Sequence, residues 1–301
     1  MFKNNTKVVS AENLSLPATI LANSCYNYMF YGCTNLVTAP ALPATTLANN
    51  CYDNMFYGCT SLTTAPALPA TTLVEECYNG MFQGCTSLTT APALPATTLK
   101  ISCYNKMFYN CTSLTTAPEL PATTLANNCY YNMFYGCTSL TTAPELPATT
   151  LTRGSCYQNM FYGCTSLTTA PELPATTLGN NCYYGMFQNC TSLTSAPELP
   201  ATTLAANCYY NMFYGCTSLT TAPELPAATL VQYCYNQMFR GCSNLNYIKA
   251  MFTTKPSTSY TKDWVSGVAA SGTFVKNVAA TWDVTGANGV PSGWTVQTAS
   301  E

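Results

Sequence analysis

The segment Cys129–Leu151 reads CYYNMFYGCTSLTTAPELPATTL, and close copies of it run through most of the chain. The first cysteine of each copy falls at Cys25, Cys51, Cys77, Cys103, Cys129, Cys156, Cys182, Cys208 and Cys234, so seven of the eight intervals are 26 residues and one is 27. A fixed period of this size marks stacked supersecondary units, none of which can bury its apolar face alone. The fold class that follows is a repeat solenoid, with a partial repeat and N-terminal cap over 1–24, nine repeats over 25–245 and a small β-rich C-terminal cap over 246–301. Leu16–Leu21 matches Leu42–Leu47, which places the chain start in mid-register.

Within one unit, CYYNMFYGC carries apolar or thiol side chains at its first, fifth, sixth and ninth positions. That is the i, i+4, i+8 spacing of one helical face and predicts a short helical segment. The other half, TSLTTAPELPATTL, predicts one short strand around Ser-Leu-Thr-Thr and a corner shaped by two prolines, which cannot donate to a ladder. A right-handed coil of this kind repeats at roughly 4.8 Å where strands pair. Leucine ladders from Leu36 to Leu245, Leu42 to Leu225 and Leu47 to Leu230, with the Met-Phe pairs from Met29-Phe30 to Met238-Phe239, make its core.

The run Phe134-Tyr-Gly-Cys137-Thr-Ser-Leu140, an FxxCxxL pattern followed by a Pro-punctuated arm, resembles the BspA-like leucine-rich repeats over about residues 13–245. The usual LxxLxLxxN core is absent, which favours a flatter solenoid over a horseshoe. The resemblance implies adhesion or ligand binding at an exposed surface. The tail Trp264–Val296 is similar to segments that end other proteins of this repeat type. It alternates apolar and polar residues around Gly turns and holds all three tryptophans, as expected of a cap on the last coil.

The 18 cysteines form nine CxxxxxxxC pairs. In a helix, positions i and i+8 lie about 12 Å apart, too far to bridge. Two columns of buried free thiols are therefore expected. Disulfides within each repeat are the rival if the segment is instead a turn. The spacing does not suit zinc, and there is no histidine.

Two features vary along the stack. One tyrosine column is continuous, from Tyr26 to Tyr235. A second, Tyr31, Tyr57, Tyr109, Tyr135, Tyr162 and Tyr214, is broken by Gln83, Gln188 and Arg240 and is the candidate exposed binding column. Glu119, Glu145, Glu172, Glu198 and Glu224 replace the alanines of earlier copies. They form either a solvated acidic stripe or a weak cation site of calcium type.

Only 7% of residues are charged and the net charge is −2. No basic patch points to nucleic acid or an anionic membrane, and no apolar run is long enough to span a bilayer. Residues 1–20 lack the apolar core of a signal peptide. With no histidine, only Asp53, Asp263 and Asp283 as aspartates, and cysteines that repeat identically, neither an enzyme nor a cofactor is expected. Two functions remain. One is an adhesin-like or phage-fibre recognition module at a cell or virion surface, binding a surface protein or glycan through its lateral face. The other is a spacer or assembly subunit that works through its ends.

Overall fold

The computed structural model describes residues 1–299 as one continuous stack of coils. Five strands are present among the described residues: β1 (Thr150–Leu151), β2 (Thr177–Leu178), β3 (Tyr247–Ala250), β4 (Thr273–Lys276) and β5 (Thr295–Thr298). The helical segment expected in each repeat is absent. Among the described residues there is no helix, and Cys129–Cys137 is a chain of tight turns.

The reason lies in every fourth residue. Asn128, Asn132 and Gly136 have φ of 55°, 54° and 70°, in the left-handed region that Gly and Asn tolerate best and that a right-handed helix cannot contain. The amides then alternate. Cys129, Tyr131, Met133, Tyr135 and Cys137 each donate to the carbonyl three residues back at 3.1–3.3 Å, closing a β-turn. Between them, Tyr130, Asn132, Phe134 and Gly136 donate to Cys156, Gln158, Met160 and Tyr162 of the next coil at 2.7–3.1 Å. Half the amides shape the coil and half stitch it to its neighbour, so the segment satisfies its backbone without a helix. A turn repeat of four residues produces the same one-sided apolar pattern as a helix.

The extended half pairs even more sparsely. Thr38, Thr64, Thr90, Thr116, Thr142, Thr169 and Ser195 form a parallel ladder of single-residue bridges. At the last threonine of the unit pairing is intermittent, Ile20 with Thr46 and Thr98 with Thr124, and it widens to a strand where β1 pairs β2. The prolines on either side of the Glu position remove the donors that a longer strand would need.

Side chains between the two halves build one core. The Phe column from Phe2 to Phe239 stacks at 5.3–5.8 Å between centroids, and every ring from Phe30 to Phe239 is fully buried. The leucine ladders line its far side, buried except for a partly covered Leu178.

The stack continues at both ends. Phe2 and Asn4 donate to Met29 and Tyr31, as their equivalents do in later coils, so Met1–Asn4 repeats the Met-Phe-x-Gly/Asn step. At the other end, Phe239 and Gly241 donate to Trp264 and Ser266 in the same register. Thr221 bridges Tyr247, and β3, β4 and β5 then form a parallel sheet in that order. The three indole N–H groups find backbone acceptors: Trp264 on Gly289, Trp282 on Phe252 and Trp294 on Ala269, at 2.7–3.2 Å. Buried tryptophan needs such a partner.

Candidate interaction surface

The turn segment sorts its two tyrosine columns by position. From Tyr52 to Tyr235 the continuous column is about 1% exposed, with rings stacked 5.7–6.0 Å apart, and it belongs to the core. Burial pushes these phenols well above their ordinary pKa. Tyr31, Tyr57, Tyr109, Tyr135, Tyr162 and Tyr214 instead precede the left-handed Gly or Asn of the turn, and each is half-buried. Their rings stack more closely: Tyr31–Tyr57 at 4.5 Å, Tyr109–Tyr135 at 4.6 Å and Tyr135–Tyr162 at 4.3 Å, all within 9° of parallel.

Polar and cationic neighbours punctuate that column. Gln83 and Gln188 interrupt it. Arg240 lies 5.8 Å from the Tyr214 ring and 3.7 Å from Asp263, while Lys3 lies 5.0 Å from the Tyr31 ring. Partial burial, with the neighbouring Tyr162 and Tyr109 phenols adding to it, pushes Tyr135 up to about 12. Sequence reasoning missed a further stacked pair, Tyr184–Tyr210 at 4.8 Å, two positions after the first cysteine. Its signal was the YY doublet in those copies.

All five glutamates, Glu119, Glu145, Glu172, Glu198 and Glu224, are exposed. Glu119, Glu145, Glu198 and Glu224 line shallow notches between proline ridges; one is lined by Pro118, Glu119, Leu120, Pro121, Pro144 and Glu145. Equivalent notches recur along the face. The repeated Pro-x-Leu-Pro was the signal for them. The last glutamate, Glu224, holds Lys249 Nζ at 2.9 Å. Among the described residues no cluster of three or more His, Cys, Asp or Glu could hold a metal ion.

The 18 thiols are free, and all but Cys25 are buried. At the second cysteine of each unit the Sγ donates to the phenylalanine carbonyl of the preceding coil, as Cys59 does to Phe30 at 3.1 Å and Cys137 to Phe108 at 3.0 Å. Helical rise, the ground on which disulfides were set aside, does not operate in this segment. Burial pushes Cys59 and Cys137 up to about 12, so these sulfurs are small core residues with a donor and not nucleophiles.

A third polar feature was not anticipated. Asp53 is buried and accepts from Asn54 and Asn79 at 2.6 and 2.9 Å, and burial raises its pKa to about 6.

Comparison with known proteins adds the lineage. No curated protein matches the chain. A leucine-rich cell surface protein of Faecalibacterium prausnitzii A2-165 is 18% identical, with 73% of this chain and 74% of that one covered and a TM-score of 0.30. A leucine-rich repeat protein of Bacteroides ovatus ATCC 8483 is 15% identical, covering 94% and 88%, with a TM-score of 0.27. The model of the BspA type leucine rich repeat region matches residues 2–141, 75–195 and 157–261 in six copies. With its nine FxxCxxL coils spanned by that match, the chain belongs to the BspA-type leucine-rich repeat family.

Proposed function

We propose that this chain is a non-enzymatic recognition module that works at an extracellular, cell or virion surface and holds a protein or glycan against the lateral face of its solenoid. The observation that carries this reading is the outer tyrosine array. Tyr109, Tyr135 and Tyr162 present a half-buried stack held in one orientation by contacts of 4.6 and 4.3 Å. Such rings offer rigid contact area and a polar tip at little entropic cost, which suits sugar faces and protein surfaces alike. The absence of histidine and the burial of 17 of the 18 thiols (18 less the exposed Cys25) support a role without chemistry.

The test is a glycan and cell-surface-protein array read with and without calcium. The variant Tyr135→Ala/Tyr162→Ala is expected to lose about tenfold or more in affinity for whatever the parent chain binds, with an unchanged circular dichroism spectrum. Equal binding by parent and variant would move recognition off this face.

One observation favours the second reading, a spacer or assembly subunit. All four residues of β5 are exposed, and among the described residues β4 is its one strand partner. That leaves an edge open to another strand.

A further inference from the structure

The outer tyrosines are also placed to react with one another. Their rings are close to parallel, at 5° for Tyr31–Tyr57, 9° for Tyr109–Tyr135 and 3° for Tyr135–Tyr162. They also occupy equivalent positions of successive coils, with centroids only 4.5, 4.6 and 4.3 Å apart. Near-parallel rings at that spacing bring carbons of adjacent rings to about van der Waals contact. The edges of these rings reach solvent, since each residue is half-buried.

We propose that this column is a site of oxidative cross-linking, in which hydrogen peroxide and a haem peroxidase join Tyr31 to Tyr57, and Tyr135 to Tyr109 or Tyr162, as dityrosine. Each phenol gives one electron and one proton to the oxidised haem. The two phenoxyl radicals couple through their ortho carbons, forming one carbon–carbon bond. The hydrogen on each joined carbon leaves as a proton and each phenoxyl oxygen regains one, which restores both aromatic rings and both hydroxyls. Per link the chain loses two hydrogen atoms, and one hydrogen peroxide becomes two waters. The link ties neighbouring coils and restricts the unfolded chain as a disulfide would, in a protein whose own thiols are unpaired and, Cys25 apart, buried.

The molecule carries its own controls. The inner tyrosines stack at 5.7–6.0 Å and are closed to an oxidant. Gln83 separates Tyr57 from Tyr109, and Gln188 separates Tyr162 from Tyr214, so the outer map must be discontinuous. Tyr184–Tyr210, stacked at 4.8 Å, forms a further pair of the same geometry.

The experiment treats the dilute full chain with hydrogen peroxide and a haem peroxidase, without any binding target, so its outcome is independent of the recognition reading. Dityrosine fluorescence in the monomer, a mass loss of two hydrogens per link and linked peptides at the named pairs are expected. Tyr135→Phe keeps the ring but cannot form a phenoxyl radical, and is expected to lose both links at that position while Tyr31–Tyr57 still forms. The proposal is overturned by links that map to the inner column, by links between chains alone, by persistence of the Tyr109 and Tyr162 links in Tyr135→Phe, or by the absence of dityrosine.

Discussion

Gly136 has no side chain where Asn110, one coil earlier, places its carboxamide: a Cβ on Gly136 would collide with Asn110 Oδ1. The same relationship links Asn4 to Gly32 and Asn189 to Gly215. Every Asn at this left-handed position is thus followed by Gly in the next coil. Gly163, by contrast, follows Gly136, and its nearest neighbour would be 3.9 Å from an added Cβ. Gly163→Ala should therefore cost only the left-handed backbone term, about 1 kcal/mol. Gly136→Ala adds the collision and should cost about 2–3 kcal/mol. Asn110→Gly in the same chain should recover the difference. Urea unfolding of the three variants measures the coupling; equal costs for the two alanines would show that the carboxamide moves aside freely.

The thiols allow a count. With Cys25 exposed and the other 17 of 18 buried, a thiol reagent should modify one cysteine in the native chain and all 18 after unfolding. Two or more rapidly modified native thiols would mean that the coil opens locally, and a denatured total below 18 would mean that some are paired as disulfides. Removing one donor tests the carbonyl ladder. Cys137→Ala leaves a small void and frees the Phe108 carbonyl from a 3.0 Å contact, for an expected loss of about 1–2 kcal/mol.

How much of this could be read beforehand depended on whether a signal had one physical cause. The ladder Leu36 to Leu245 and the Met-Phe stripe are buried because a solenoid has only one inside, so their period alone located them. The two tyrosine columns were separable because Gln83 and Gln188 substitute in one and nothing substitutes in the other. The spacing of Cys129, Met133 and Cys137 has two causes, a helix of 3.6 residues per turn or turns of four, and over nine residues the two coincide. Asn132 and Gly136 carried the discriminating information, since residues that favour positive φ every four positions exclude a helix. The tail hid its register because Trp264 stands where methionine stood, although it lies 26 residues after Met238. Asp53 was not legible, since one acidic residue in a polar column gives no sign of its burial.

That aspartate makes stability depend on pH. Its pKa rises from 3.8 to about 6, first through burial, with Glu76 nearby adding to the rise and the amides of Asn79 and Asn54 opposing it. Between those values the folded chain holds a proton that the unfolded chain has released. This group's contribution is therefore fully present below about pH 4 and is lost as pH rises through about 6. With allowance for solvent screening the change is about 1–2 kcal/mol. Asp53→Asn, which cannot ionise, should be more stable than the parent at pH 7.5 by that amount and should lose this part of the pH dependence. Unfolding curves at pH 4.5 and 7.5 decide it, and an identical pH difference in parent and variant would assign the effect to another group.

Trp264 is fully closed off by the stack. It contacts Tyr235, Phe239, Phe252 and Phe274 at centroid distances of 5.8–6.3 Å, and its indole N–H donates to Gly289 at 2.9 Å. Trp264→Ala should cost about 3–5 kcal/mol of local stability. In a solenoid each coil is held by its neighbours alone, so the loss should stay at that end and need not unfold the whole chain. Hydrogen exchange resolves this by position. Amides of 247–299 should lose most of their protection, those of coils near Tyr235 some of it, and those around Cys59 to Cys137 none. Uniform loss along the chain would mean that the coils unfold as a single cooperative unit, and that the C-terminal sheet is needed to hold the central coils folded.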